Sequence, residues 1–391
     1  MNKQEVVSIF FDLEKAYDTT WKYGILKDLY EAGLRGRMPV FISKFLENRN
    51  FRVRLGSTLS DSFEQEMGVP QGSILSVTLF SLKINSLAKV LSKDVEGSLY
   101  VDDFLMSYRA KSTKACERQL QGCLHKIEKW CTENGFKFSP AKTVCVHFHK
   151  KRGILPEPDL TLNGKKIKVV KETKFLGVIF DQKLSFLPHL KALKTKCLKA
   201  LDIIKVVANQ EWGADKSVLL KLYRSLVRSK LDYGSVVYGS ARPSYLKMLN
   251  TVHHQGLRLA FGAFRTSPVE SLYVEAGELP LEQRRIKLSL QYIAKLKSTP
   301  SNPAYQCVFN PAYEEKYLRN VKTIPPLGIR IKEHLEDCDI LRLDQVHDDD
   351  VYDIPPWELC TPSVNLTLHS TTKSETSDSD FKQRFPRGDP G

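Results

Sequence analysis

Ser98-Leu99-Tyr100-Val101-Asp102-Asp103-Phe104-Leu105-Met106 decides the fold, because two adjacent carboxylates interrupt a run that otherwise reads as strand. Apolar residues alternate on either side, which suits the two strands of a β-hairpin with both aspartates at its tip. At a tip a carboxylate stays ionised and can reach a hard cation, which takes oxygen ligands. An ordinary polar Asp-Asp turn is the competing reading, and this stretch alone does not separate the two.

The upstream sequence does. Val6-Val7-Ser8-Ile9-Phe10-Phe11 reads as a buried strand that Asp12 terminates, and Leu13-Glu14-Lys15-Ala16-Tyr17-Asp18 then turns toward a helix. A third carboxylate thus sits at a strand end. If the two strands lie side by side, Asp12 meets Asp102 and Asp103, and the three supply oxygen ligands for two Mg²⁺ ions roughly 3.5–4 Å apart. Such a pair suits phosphoryl transfer, one ion activating a hydroxyl and the other neutralising the phosphate and leaving group.

Between the two strands lies Met67-Gly68-Val69-Pro70-Gln71-Gly72-Ser73-Ile74-Leu75-Ser76, followed by an apolar helical pattern through Leu79, Phe80, Leu82, Leu87, Val90 and Leu91. The order FFDLEKAYD, GVPQGSILS, YVDD resembles motifs A, B and C of a reverse transcriptase palm. The stripe Leu120, Leu124, Ile127 and Trp130, then Asn134-Gly135-Phe136 and Ser139-Pro140-Ala141-Lys142-Thr143, is similar to motif D. Phe175-Leu176-Gly177-Val178-Ile179-Phe180-Asp181 resembles the primer grip of non-LTR retrotransposons, the jockey-like class in particular. The resemblance extends over about residues 5 to 300. Further on, Pro355-Pro356-Trp357-Glu358-Leu359 and Val364-Asn365-Leu366-Thr367-Leu368 look like the connector that precedes a ribonuclease H domain in such elements.

The fold this implies is α+β: a palm of antiparallel sheet with packed helices over residues 1–182, a helical thumb and connection region over 183–300, and a largely disordered connector tail over 301–391 that precedes an absent ribonuclease H domain. Within the palm, Asn163-Gly164 reads as a hairpin turn between Leu160–Leu162 and Ile167–Val170. The chain starts eleven residues before Asp12, so the fingers, with their basic residues for the incoming triphosphate, are expected to be mostly missing, and synthesis by the chain as it stands to be weak or absent. Val77, where the family usually has Pro after the motif B serine, and Ser86, where Asp commonly follows Ile-Asn, read as tolerable drift.

The activity implied by the resemblance is RNA-directed DNA synthesis, with an RNA template, a DNA primer and deoxynucleoside triphosphates as partners and Mg²⁺, replaceable by Mn²⁺, as cofactor. Asp12 and Asp102 are then the principal metal ligands and Asp103 assists. Tyr17 takes the place of the ring that blocks a ribose 2′-hydroxyl, Gln71 and Gly72 approach template and incoming nucleotide, Lys142 protonates the leaving pyrophosphate, and Phe175, Leu176 and Gly177 grip the primer. Gly72 is expected where the backbone must come closer than a Cβ allows. Two other classes compete: a catalytically dead nucleic-acid-binding relic of such a polymerase, and a viral RNA-dependent RNA polymerase. Tyr17 and the YVDD turn speak against the second.

Composition fits a polyanionic partner. Lys and Arg exceed Asp and Glu by 59 − 45 = 14. Residues 191–230 carry ten basic residues against three acids, with Lys191, Lys194, Lys196 and Lys199 on one side of a helical pattern and Leu193, Leu198, Leu201 and Ile204 on the other. That helix could track a duplex backbone; a merely solvated surface is the alternative. Residues 332–358 reverse the balance, with ten acids and two bases. The eight cysteines form no CxxC pair and follow no secretory signal, and Cys145, His147 and His149 lack a fourth ligand at zinc spacing. Reduced thiols, an intracellular protein with no membrane span, and action in the nucleus after cytoplasmic synthesis are the expectations.

Overall fold

The computed structural model describes residues 4–149, 151, 155–209, 211–311, 314–319 and 324–337. The described residues form one compact unit. Its organising element is β1 (Glu5–Phe11), whose side chains are nearly all buried because sheet neighbours lie on both edges and helices lie over its face. Two helices follow, α1 (Lys22–Glu31) and α2 (Arg37–Leu46), and then the strand pairs β2 (Asn50–Phe51) with β5 (Phe63–Glu64) and β3 (Arg54–Leu55) with β4 (Thr58–Leu59). The apolar run after Gln71-Gly72 forms α3 (Ile74–Asn85).

The aspartate hairpin is β6 (Glu96–Tyr100) and β7 (Asp103–Ala110), antiparallel to each other. Strand β7 also pairs with β1 along its whole length, from Glu5 opposite Ala110 to Phe11 opposite Phe104. The long helix α4 (Thr113–Asn134) is capped by Ser112 at its start and closes on Gly135 in the left-handed region, as a helix C-terminus commonly does. Its expected stripe of Leu120, Leu124, Ile127 and Trp130 is buried, together with Cys116, Cys123 and Cys131. Strand β8 (Val144–Phe148) pairs antiparallel with the other edge of β1.

Asn163-Gly164 does form a turn with both residues at positive φ, joining β9 (Thr161–Leu162) to β10 (Lys165–Lys166). The following segment leaves that ribbon, and β11 (Lys168–Val169) instead pairs parallel with β8. The central sheet therefore has the order β11-β8-β1-β7-β6. A separate hairpin, β12 (Glu172–Phe175) and β13 (Val178–Asp181), leads into α5 (Leu187–Val207).

One apolar cluster fills the space between sheet and helices from Val7 to Ile167, and a second runs from Val178 to Leu281. The second is built by α5 with α6 (Lys216–Tyr223), α7 (Ser229–Asp232), α8 (Ser235–Tyr238), α9 (Pro243–Leu246), α10 (Asn250–Phe261), α11 (Val269–Ala276) and the start of α12 (Leu281–Lys297). On α5, Leu193, Leu201 and Ile204 are buried and Lys191, Lys196 and Lys199 exposed, while Leu198 and Lys194 are intermediate.

The described residues after 300 are helical in part. Four short helices, α13 (Ala304–Phe309), α14 (Glu314–Arg319), α15 (Leu327–Arg330) and α16 (Lys332–Asp337), follow one another, and Val308, Ile331 and Leu335 close a small apolar cluster with Ile293 and Leu296 of α12. These few widely spaced apolar residues carry no period, yet they suffice to cover the outer face of α12. The connector-like segments at 355–359 and 364–368 lie outside the described residues. Among the described residues no helix is long and apolar enough to cross a membrane.

Candidate active site

The register places the carboxylates. Phe11 faces Phe104, so Asp12 and Asp103 stand on adjacent strands one position beyond that pair, and Tyr100 faces Asp103 across a two-residue turn made of Val101 and Asp102. Asp102 is therefore at the tip and Asp103 begins the returning strand. Val101 lies at φ +56°, a conformation that a β-branched residue adopts only under constraint.

The electrostatics of the three aspartates are those of like charges held together. Burial raises the Asp103 carboxyl above the usual range, and the charges of Asp102 and Asp12 raise it further. Asp12 Oδ2 is buried without a hydrogen-bond partner, and the Lys142 ammonium lies 3.4 Å from it. Among the described residues no group of three or more His, Cys, Asp or Glu side chains is gathered closely enough to hold a metal ion. The carboxylates are neighbours rather than a closed ligand shell, as the mutual repulsion of like charges requires. Oxygen donors, a buried carboxylate oxygen without a hydrogen-bond partner and three carboxylates beside one lysine are nonetheless what a hard divalent cation selects.

The turn after β1 is tied to the loop before α3. Gly68 N–H donates to the Thr20 carbonyl and Val69 N–H to the Tyr17 carbonyl, each at 2.8 Å. Gly68, at φ +89°, packs so tightly that a Cβ there would come within 2.7 Å of the Asp18 carbonyl oxygen. Gln71 Nε2 donates to Asp18 Oδ1 at 3.0 Å, which fixes the amide orientation because an ionised carboxylate only accepts. Gly72 lies at φ +95° with open space where a Cβ would point. Gly68 is thus required for a close approach within the chain, and Gly72 for its backbone angle, with its Cβ side left open.

Tyr17 stacks on Phe80 of α3, with ring centroids 4.7 Å apart, and burial followed by the Asp102 charge pushes its phenol up. The ring thus sits between the hydrophobic core and the aspartates. Lys142 reaches the site because Ser139 N–H donates to the Asp12 carbonyl and Leu13 bridges to Phe138, which lays the segment before β8 against the end of β1. The hairpin β12–β13 reaches the same end of the sheet: Phe175 packs edge-on against Phe10, with centroids 5.5 Å apart. Leu176 and Gly177 form its turn, at φ +45° and +83°. The structure thus gathers Asp12, Asp102, Asp103, Tyr17 and Lys142 around one strand end, sets Gln71 and Gly72 on the loop tied to the Asp12 turn, and brings Phe175 to β1.

Sequence reasoning overlooked three residues. Asp18 orients Gln71 across 53 positions, and no local pattern announces such a bond. Lys83, 2% exposed, links α3 to Asp28 of α1 at 3.1 Å and to Asn134 at the end of α4 at 2.8 Å; a lysine inside the apolar run from Leu79 to Leu87 was a readable signal. Tyr233 touches the Leu176–Gly177 turn from the helical region. Ser86, noted as a departure from the family pattern, accepts a hydrogen bond from Trp130 Nε1 at 3.0 Å and so holds α4 against the end of α3.

Residues 1–180 match the family model described as reverse transcriptase (RNA-dependent DNA polymerase). This stretch is similar to reverse transcriptases. The chain is 29% identical over 285 residues to the RNA-directed DNA polymerase from mobile element jockey of Drosophila melanogaster, a match covering 69% of this chain and 30% of that protein. It is 26% identical over 235 residues to the retrovirus-related Pol polyprotein from type-1 retrotransposable element R1 of Nasonia vitripennis, covering 56% of this chain and 67% of that one. The chain thus spans about 30% of the length of the jockey polymerase. Among solved structures, telomerase from Candida tropicalis in complex with a fragment of telomeric RNA superposes with a TM-score of 0.36 at 13% identity, over 78% of this chain and 48% of that one, too loose a fit to carry weight.

Proposed function

We propose that this chain is the polymerase part of a non-LTR retrotransposon reverse transcriptase, extending a DNA primer 3′-hydroxyl by template-directed nucleotidyl transfer on RNA. The observation that carries the reading is the placement of Asp12 beside Asp102 and Asp103 at one end of a buried sheet, with the motif B loop hydrogen-bonded to the turn that follows Asp12. The domain division proposed with it is a palm over 1–182, a helical thumb and connection region over 183–300 and a connector beyond, and its place of action is the nucleus.

Asp12 and Asp102, with Asp103 assisting, would hold two Mg²⁺ ions. Bound there, the metal lowers the pKa of the attacking hydroxyl and offsets charge on the phosphates. The remaining steps fall to the chain itself. Tyr17, braced by Phe80, presents its ring beside the aspartates and excludes a ribose 2′-hydroxyl. Gln71, with its NH₂ held by Asp18, leaves Oε1 as the acceptor that faces an incoming nucleotide. Lys142 carries an exposed ammonium next to Asp12 and supplies the proton to the departing pyrophosphate. The Phe175–Gly177 turn holds the primer strand, and the lysines of α5 follow the duplex phosphates.

The test is primer extension on poly-rA/oligo-dT with Mg²⁺, for the chain and for its Asp102→Ala variant, supplying dTTP or UTP. Extension with dTTP that Asp102→Ala abolishes, weak in the chain as it stands and stronger once a related fingers segment is restored, is the expected result. Duplex binding without extension would favour the relic, and a preference for UTP would favour an RNA polymerase.

A further inference from the structure

The register of the β12–β13 hairpin, with Phe175 opposite Val178, leaves Leu176 and Gly177 as a two-residue turn. Both have positive φ, the pattern of a type I′ turn, which favours Asn-Gly. Leucine at φ +45° is held in a conformation its own side chain disfavours, so this turn is not specified by its sequence and needs support from outside the hairpin.

That support comes from Tyr233. Its hydroxyl donates to the Leu176 carbonyl at 2.7 Å. Its ring closes over the second turn residue, and a Cβ on Gly177 would lie 2.9 Å from its Cε1. Tyr233 follows α7, where its own N–H donates to the Ser229 carbonyl at 3.1 Å. The preceding residue, Asp232, is anchored to Arg284 of α12 at 2.8 Å. The turn is therefore clamped by a residue that the helical region holds in place, 57 positions along the chain. Tyr233 is 60% exposed, so it adds little to the core and its substitution is expected to leave the fold intact.

We propose that Tyr233 is a positioning residue for the primer strand, acting by holding the Leu176–Gly177 turn in its strained conformation through one hydrogen bond and one ring contact. The inference rests on reading that hairpin as the primer grip. It couples the helical region to the end of the sheet that carries Asp12, since the same hairpin packs through Phe175 on Phe10.

The test measures the Kd of the full chain for a fluorescent DNA-primer/RNA-template duplex by anisotropy, alongside the KM values for duplex and for dNTP. Tyr233→Phe removes only the hydroxyl and is expected to weaken duplex binding roughly 3- to 10-fold, the usual range for one lost hydrogen bond. Tyr233→Ala removes the ring as well and is expected to cost more. In both, the KM for duplex rises, the KM for dNTP holds and the melting temperature is unchanged. Leu176→Asn builds the Asn-Gly pair that the turn prefers, so in that background Tyr233→Phe is expected to cost clearly less. Unchanged duplex affinity in Tyr233→Ala would overturn the inference, as would a parallel rise of both KM values with a lowered melting temperature. If the unsubstituted chain neither binds nor extends the duplex, the polymerase reading fails and this inference falls with it; if it binds and Tyr233→Ala changes nothing, the inference alone fails.

Discussion

Gly68→Ala probes the link between the Asp12 turn and the motif B loop. The methyl group would lie 2.7 Å from the Asp18 carbonyl oxygen and 2.8 Å from that of Tyr17, and both atoms are backbone, so no side chain can move aside. An L-residue at φ +89° costs roughly 1–2 kcal/mol in addition. If the two segments separate to admit the methyl, the Gly68 and Val69 hydrogen bonds are lost, at about 1 kcal/mol each. The sum is about 3–4 kcal/mol. Gly72→Ala is the control, since at φ +95° it bears the backbone strain but meets nothing within 4 Å, and it should cost only about 1–2 kcal/mol. Urea denaturation followed by tryptophan fluorescence measures both, and the polymerase reading adds a larger rise in the KM for dNTP in Gly68→Ala, because the loop carrying Gln71 shifts. Equal destabilisation of the two variants would refute the reasoning.

Lys83→Met strands the Asp28 carboxylate and the Asn134 amide, and by the rule for breaking a buried ion pair it should lose about 3–5 kcal/mol in a denaturant titration; a loss under 1 kcal/mol would contradict the role assigned to the pair. His253 is buried, its Nδ1 bonded to the Tyr223 hydroxyl, and burial depresses its pKa to about 4. Its contribution to stability is therefore complete above its unfolded value of 6.5 and is lost as the pH falls toward 4, up to about 3 kcal/mol. The pH dependence of the denaturation midpoint should flatten over that window in His253→Gln, and an unchanged slope would count against it. Asp103→Asn, in buffer free of divalent cations at pH 7, should gain on the order of a few tenths of a kcal/mol, because burial and the Asp102 and Asp12 charges oppose ionisation of a carboxyl that solvent still partly screens. A clear loss of stability would show that the three charges do not repel.

What could be read in the sequence follows from where the signal is local. Val7 to Phe11 is buried, and such strands show as largely apolar runs ended by a charged residue, so Asp12, Asp102 and Asp103 stood out as interruptions. The stripe of α4 and the Asn163-Gly164 turn were legible because period and turn chemistry are written in neighbouring residues. The ribbons between Asn50 and Glu64 were not, since every residue in those four two-residue strands is exposed and no burial imposes a pattern. The helices after residue 300 escaped notice because each is too short to show a period, and α13 and α16 are held by contacts with α12. In the site, the residue types were legible but their partners were not: Asp18 with Gln71, Lys83 with Asp28 and Tyr233 with Leu176 join positions 53, 55 and 57 apart in the chain.

The most direct test of the central claim, that the three aspartates form one metal-dependent centre for DNA synthesis on RNA, is single-nucleotide incorporation onto a DNA primer annealed to RNA, measured against Mg²⁺ concentration for the chain, Asp12→Asn and Asp102→Asn. The account predicts saturable, Mg²⁺-dependent addition of a deoxynucleotide, slow in the unsubstituted chain and faster with a related fingers segment restored, and its loss in both variants. Incorporation that persists in either variant, or that is indifferent to Mg²⁺, would contradict it.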